Sequence, residues 1–180
     1  NALAIPLAHG PAMYGEHLAD FQRADFAALD PACMAVVKGE RPPTGRFWLE
    51  RTKGGSKDTD VATAALWMLT FSERQLYGQA GAYDAVQAGE IRKIIDAILR
   101  LDAPLNRKVA SLINVQSDAI VNTKTGSRLD ILTTSSHGRH GSRPDIVLID
   151  ELSHVGNEEF AQTLVDNLDK VPNGLLMVAT

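Results

Sequence analysis

Arg143–Val155 reads RPDIVLIDELSHV, and its centre decides the fold. Ile146–Ile149 is an unbroken apolar run, and Asp150 and Glu151 follow it directly. An apolar run without alternation suits a strand covered on both faces, as in a parallel sheet under helices. Two adjacent carboxylates at the end of such a strand lie at the carboxyl edge of the sheet, where open α/β sheets bind ligands. The plainer reading is a buried strand followed by acids that favour the start of the next helix.

Working outward, the pattern repeats. Downstream, Phe160, Leu164, Leu168 and Val171 mark one face of a helix over 157–171, and Pro172-Asn-Gly174 makes a turn. Leu175–Ala179 is a second apolar strand that ends at Thr180. Upstream, 135–144 is a polar loop with His137, Arg139, His140 and Arg143. Before it, 109–115, 119–122 and 129–132 read as strands, with a turn at Lys124-Thr-Gly126. Ile91, Ile94, Ile95, Ile98 and Leu101 define a helix over 84–101, with Pro104 just beyond, and 74–80 reads as a strand. Strands alternating with helices predict an α/β fold with a mostly parallel central sheet flanked by helices.

The second informative stretch is Phe47-Trp-Leu-Glu50 running into Arg51-Thr-Lys-Gly-Gly-Ser-Lys-Asp-Thr-Asp60. Val61, Ala65, Met68 and Leu69 then fall on one helical face. Strand, glycine-containing loop with lysine, helix is the P-loop order. Gly54 and Gly55 let backbone N–H groups turn in around phosphate oxygens, the following helix adds its positive dipole end, and Lys57 adds a mobile charge. Lys53 is the competing lysine. Set beside a strand ending in Asp150-Glu151, such a loop suits nucleotide hydrolysis. A loop hydroxyl, Ser56 or Thr59, and Asp150 would hold Mg²⁺, and Glu151 would orient or deprotonate the attacking water. Arg51 faces phosphate or the base side, or pairs with Glu50.

Bulk properties narrow the class. The 180 residues are enough for one sizeable core. The net charge of −4 gives no global basic signal, so any nucleic-acid contact is local or made by further segments. One cysteine, Cys33, excludes an internal disulfide framework and a cysteine-based zinc site. No stretch reaches the roughly 20 apolar residues that span a membrane. The chain starts at Asn1 and stops on an apolar run, and both ends read as interior points of a longer protein.

Taken in order, these segments resemble the N-terminal ATPase domain of the large terminase subunit of tailed bacteriophages, the motor that packages DNA. RTKGGSKDTD resembles its divergent Walker A loop, VLIDE its Walker B with the catalytic glutamate, and HGRHGSRPD the segment that commonly precedes Walker B. Phe21-Gln22 resembles the upstream glutamine motif, and LLMVAT the coupling motif. A usual Walker A ends Gly-Lys-Ser/Thr, whereas here Asp58 follows Lys57 and Thr59 comes one place late.

The resemblance implies an ASCE-type P-loop NTPase. Residues 1–45 form a lead-in with an adenine-side helix over 17–29, and 46–180 form the ATPase core. ATP and Mg²⁺ are the implied ligands. Gln22, Lys53, Gly54, Gly55, Ser56, Lys57, Asp58, Thr59 and Thr180 contact nucleotide, and Thr180 couples its state onward. Asp150 and Thr59 hold the metal, while Glu151, Lys57 and Arg51 serve catalysis. The resemblance also implies double-stranded DNA, a small terminase subunit and a portal protein as partners, a homo-oligomeric ring, the host cytoplasm as the place of action, and a nuclease domain outside this segment.

Two other classes stay open on the residues alone: a helicase-like P-loop motor, and a catalytically silent nucleotide-binding scaffold. His137 and His140 lack carboxylate or cysteine partners at ligand spacing and read as loop residues. Arg139 and Arg143 read as ordinary loop charges or as phosphate contacts. Trp48 and Trp67 read as core.

Overall fold

A computed structural model describes residues 3–7, 10–52, 54–82, 85–134, 141–150 and 158–180. Its elements are β1 (Ala4–Leu7), β2 (Gly10–Met13), α1 (Asp20–Lys38), β3 (Arg46–Leu49), α2 (Lys57–Phe71), β4 (Tyr77–Ala82), α3 (Ala85–Leu99), α4 (Pro104–Ala110), β5 (Ile113–Val115), β6 (Ala119–Asn122), β7 (Arg128–Thr133), β8 (Ile146–Asp150), α5 (Glu158–Leu168) and β9 (Leu175–Ala179). The main sheet has the order β3-β9-β8-β4-β7-β6-β5. From β3 to β7 every neighbour is parallel, and β6 and β5 are added antiparallel.

The apolar runs of β8 and β9 are buried at every position. Strand alternation divides them between two cores. Ile146 and Leu148 join Leu175 and Met177 in the core shared with α1, α2 and α3. Val147 and Ile149 join Leu176 and Val178 under Leu164 and Leu168 of α5. This is why neither strand shows a polar alternate. At Gly81 of β4 an added Cβ would stand 2.3 Å from the Leu164 side chain, so α5 sits on bare backbone there.

Several boundaries differ from the sequence reading. α1 does not end at Leu29; it runs through Pro31 to Lys38 and closes on Gly39 in the left-handed conformation. Pro31 gives up one helical hydrogen bond. Burial of Ala32, Cys33, Val36 and Val37 against the core outweighs that local cost. Residues 109 and 110 are helical, because Pro104 opens α4 rather than closing α3. The lead-in also carries a β1–β2 hairpin that no alternation announced.

Trp48 is not core: it is 60% exposed. Phe47 and Leu49 pack against the larger core. Trp48 points to the other face of β3, which is an edge strand of the sheet. Trp67 packs against the larger core, as read from sequence.

Candidate functional site

The same alternation aims Asp150. It follows Ile146 and Leu148 by steps of two, so its side chain emerges on the face that carries α2. The first residue of α2 is Lys57. Lys57 Nζ lies 2.9 Å from Asp150 Oδ1 and 3.0 Å from Asp58 Oδ1. Burial alone would lower the pKa of the Lys57 ammonium, but its hydrogen bonds to Asp150 and Asp58 outweigh that and raise it. The loop after β3 and the end of β8 thus meet at the carboxyl edge of the sheet, with β9 between them. Thr180 fills that gap by its backbone. Its N–H donates to Leu49 O and its carbonyl accepts from the Arg51 N–H, both at 3.0 Å.

The loop is shaped by two left-handed residues, Gly54 at φ 86° and Ser56 at φ 58°. The conformation suits glycine and strains serine by about 1 kcal/mol. Gly55 lies between them, where a Cβ would come within 2.9 Å of Thr52 O and 3.0 Å of Arg51 Cβ. The first helical bond of α2 runs from Asp60 N–H to Ser56 O. The amides of Lys57, Asp58 and Thr59 therefore have no acceptor within the helix and, with the helix dipole, favour an anion. No side-chain cap from Ser56 occupies this end.

Arg51 turns away from that end. Its side chain is only 7% exposed, and its ion partners are Asp25 and Asp60, each at 2.5 Å, not Glu50. Nη1 also donates to Gly55 O at 2.9 Å, and the guanidinium lies 5.0 Å from the Phe21 ring centroid. Gln22 is buried rather than solvated. Its Nε2 donates to Asp60 at 2.8 Å, and its Oε1 accepts the Ala19 N–H. Its amide is thus spent within the protein, on the inner side of the loop. Tyr14 Oη donates to Asp60 as well. Burial pushes the Asp60 carboxyl up to about 7; the arginine and the two neutral donors work the other way.

Asp60, Tyr14 and Asp25 were missed as site residues in the sequence. The one available signal was an acid opening a helix that is otherwise apolar from Val61 to Met68 except for Thr63. Glu151 and Lys53 lie outside the described residues, as do His137, Arg139 and His140. Arg143 is exposed, and Thr59 is half-buried on α2.

A groove of about 350 Å³ opens beside the loop, lined by Phe21, Trp48, Thr52 and Gly55 among others. For a divalent cation, the donor set present is Asp58 and Asp150. Two carboxylates already converging on one ammonium suit a hard ion that takes one or two protein oxygens and completes its shell with phosphate and water. Larger clusters of three or more His, Cys, Asp or Glu fit to hold a metal are absent among the described residues. In the place next to Lys57 the chain puts the Asp58 carboxylate, and Thr59 does not share in the Lys57 contacts.

A seven-stranded, mostly parallel sheet with a lysine loop facing a strand-end aspartate defines an α/β P-loop NTPase fold. Within that class, the fold is the one found in the ATPase domains of phage large terminases. The large terminase of bacteriophage HK97 superposes with a TM-score of 0.76 at 17% identity, over 99% of this chain and 35% of that one. The large terminase ATPase domain of Thermus phage P74-26 matches with a TM-score of 0.54 at 14% identity, over 80% of this chain and 66% of that one. The large terminase of a further, thermophilic bacteriophage, in complex with ADP, gives 0.50 at 11% identity, over 82% of this chain and 37% of that one. The chain thus spans about a third of the HK97 protein. No protein-family profile matches it, and no curated protein matches it by sequence. Among the described residues no helix is long and apolar enough to cross a membrane.

Proposed function

We propose that this chain is the ATPase domain of a phage large terminase, and that it hydrolyses ATP with Mg²⁺ to drive double-stranded DNA into a procapsid. The observation that carries the reading is the Lys57–Asp150 contact at 2.9 Å, made at the carboxyl edge of a sheet with the terminase ATPase fold. In this reading Lys57 and the free amides at the start of α2 bind the β- and γ-phosphates. Asp150 would hold Mg²⁺ together with a loop hydroxyl, Ser56 or Thr59, and the Asp58 carboxylate, which shares the Lys57 ammonium with Asp150, is a further candidate ligand. A bound Mg²⁺ would neutralise phosphate charge. Glu151, next along the chain, would hold the attacking water and take its proton. Thr180, hydrogen-bonded to the strand and loop on either side of Glu50, would couple phosphate occupancy to β3. DNA, a small terminase subunit, a portal protein, a ring of copies and the host cytoplasm belong to the same proposal.

Turnover by the full-length parent protein tests it. Glu151→Gln and Lys57→Ala are each expected to abolish ATP hydrolysis, and Lys53→Ala to leave most of it. Wild-type turnover in Lys57→Ala would remove the loop from its role. Nucleotide binding without turnover in the assembled wild-type motor would instead favour a silent scaffold.

A further inference from the structure

We propose that Asp60 is the positioning residue of the phosphate loop. Its buried carboxylate ties the lead-in to Arg51, and through Arg51 to the Gly55 carbonyl, so that groups which never touch nucleotide set the loop's shape. The inference rests on the reading of 52–58 as a phosphate loop and deepens it.

The loop has little regular structure to hold it. Gly54 and Ser56 are both left-handed, and among the described residues the Gly55 N–H to Thr52 O bond, 2.9 Å, closes the turn from within. Its outside hold is the Arg51 Nη1 donation to Gly55 O. Arg51 is therefore the strut, and what fixes Arg51 fixes the loop. Asp60 does so from inside: it is 3% exposed and accepts the same Nη1 through Oδ2. Its remaining acceptor capacity is filled by Tyr14 Oη and by Gln22 Nε2, which reaches Oδ1 at 2.8 Å and Oδ2 at 3.1 Å. Asp25 takes the other terminal nitrogen of Arg51. Three separate stretches of chain, at Tyr14, along α1 and at the exit of β3, thus converge on one carboxylate in the first turn of α2. A buried ionic knot is weak support for stability as such, and its best-attested use is to select one conformation. Gly55 belongs to the same device, since a side chain there would collide with the Arg51 stem.

The test uses the intact chain carrying Tyr14→Phe or Asp60→Asn, with Arg74→Ala as a control that breaks an ion pair at the opposite edge of the sheet. Two readouts are taken: hydrogen–deuterium exchange of the 52–58 amides without ligand, and affinity for a fluorescent N-methylanthraniloyl ATP. Both knot variants are expected to exchange faster across 52–58 and to bind the analogue about tenfold more weakly, the order expected for a lost hydrogen bond to a charged group. Exchange in β4 should stay unchanged. Arg74→Ala should leave loop exchange and affinity within about twofold, which separates positioning from general destabilisation. Tyr14→Phe carries the test alone if Asp60→Asn does not fold. Wild-type loop exchange in Tyr14→Phe overturns the proposal. If the unmutated chain fails to bind the analogue, or binds it as well after Lys57→Ala, the phosphate-loop reading falls, while loop exchange still decides whether Asp60 shapes this segment.

Discussion

The two edges of the central sheet each carry a cation–carboxylate pair, built in different ways. At the amino edge, Asp145 accepts from Arg74 at 2.7 Å with one oxygen and from the Tyr77 N–H at 2.9 Å with the other. The Asp145 backbone also bonds to Tyr77 and Leu175, and Arg74 reaches the Val36 carbonyl. At the carboxyl edge, Lys57 meets Asp150 and Asp58, side chain to side chain, without a backbone acceptor among the described residues. A pair stitched into backbone fixes where strands begin. A contact between side chains can exchange a partner without moving the strand ladders. The same two charge types are therefore tied into backbone at one edge and meet side chain to side chain at the other.

The largest expected effect separates the edges by activity. Lys57→Ala in the full-length parent should cut ATP turnover by about 10²-fold or more, the scale of losing one preorganised charge contact. Asp145→Ala should leave turnover within about twofold. Stability should run the other way. Asp145→Ala strands Arg74 and the Tyr77 N–H and should cost about 1–3 kcal/mol in denaturant unfolding. A larger loss of stability from Lys57→Ala than from Asp145→Ala would break the comparison.

A smaller effect comes from Ser56→Gly, which removes left-handed strain of about 1 kcal/mol. The melting temperature should rise slightly, and affinity for the ATP analogue should fall as the loop gains freedom. The smallest effect is read at Cys33. Burial, with Asp30 nearby, pushes its thiol up to about 12, so alkylation at pH 8 requires opening of the fold. Labelling by iodoacetamide should be severalfold faster in Asp145→Ala and unchanged in Lys57→Ala.

Much of the fold was legible because burial on two faces leaves a plain mark: four or five apolar residues in a row, as in β8 and β9. The meeting of Lys57 with Asp150 was legible too, since a lysine loop and a strand-end acid bind ligands at the same edge of such a sheet. What was hidden depended on packing between distant segments. Gln22 resembled a nucleotide contact, and Arg51 stood open between phosphate, the base side and Glu50, because nothing in the local pattern shows that Asp60 draws both inward. The helix read over 17–29 stopped short because the local cost of Pro31 is visible in sequence and the burial that outweighs it is not. Trp48 looked like core because β3 gives no sign of being an edge strand until the order of the sheet is known. Asp58 follows Lys57 in the sequence, and its contact with the ammonium shows which way that acid points.

The exposed Trp48 gives the molecule its own optical probe. Its indole stands in water beside Thr52 and Gly55, whereas Trp67 packs against the core beside Phe71. Red-edge excitation therefore selects the ring next to the loop, and a quencher such as iodide will reach that ring first. Occupancy of the neighbouring groove registers as a blue shift and shielding of this one fluorophore, with no label attached and Trp67 as the internal reference.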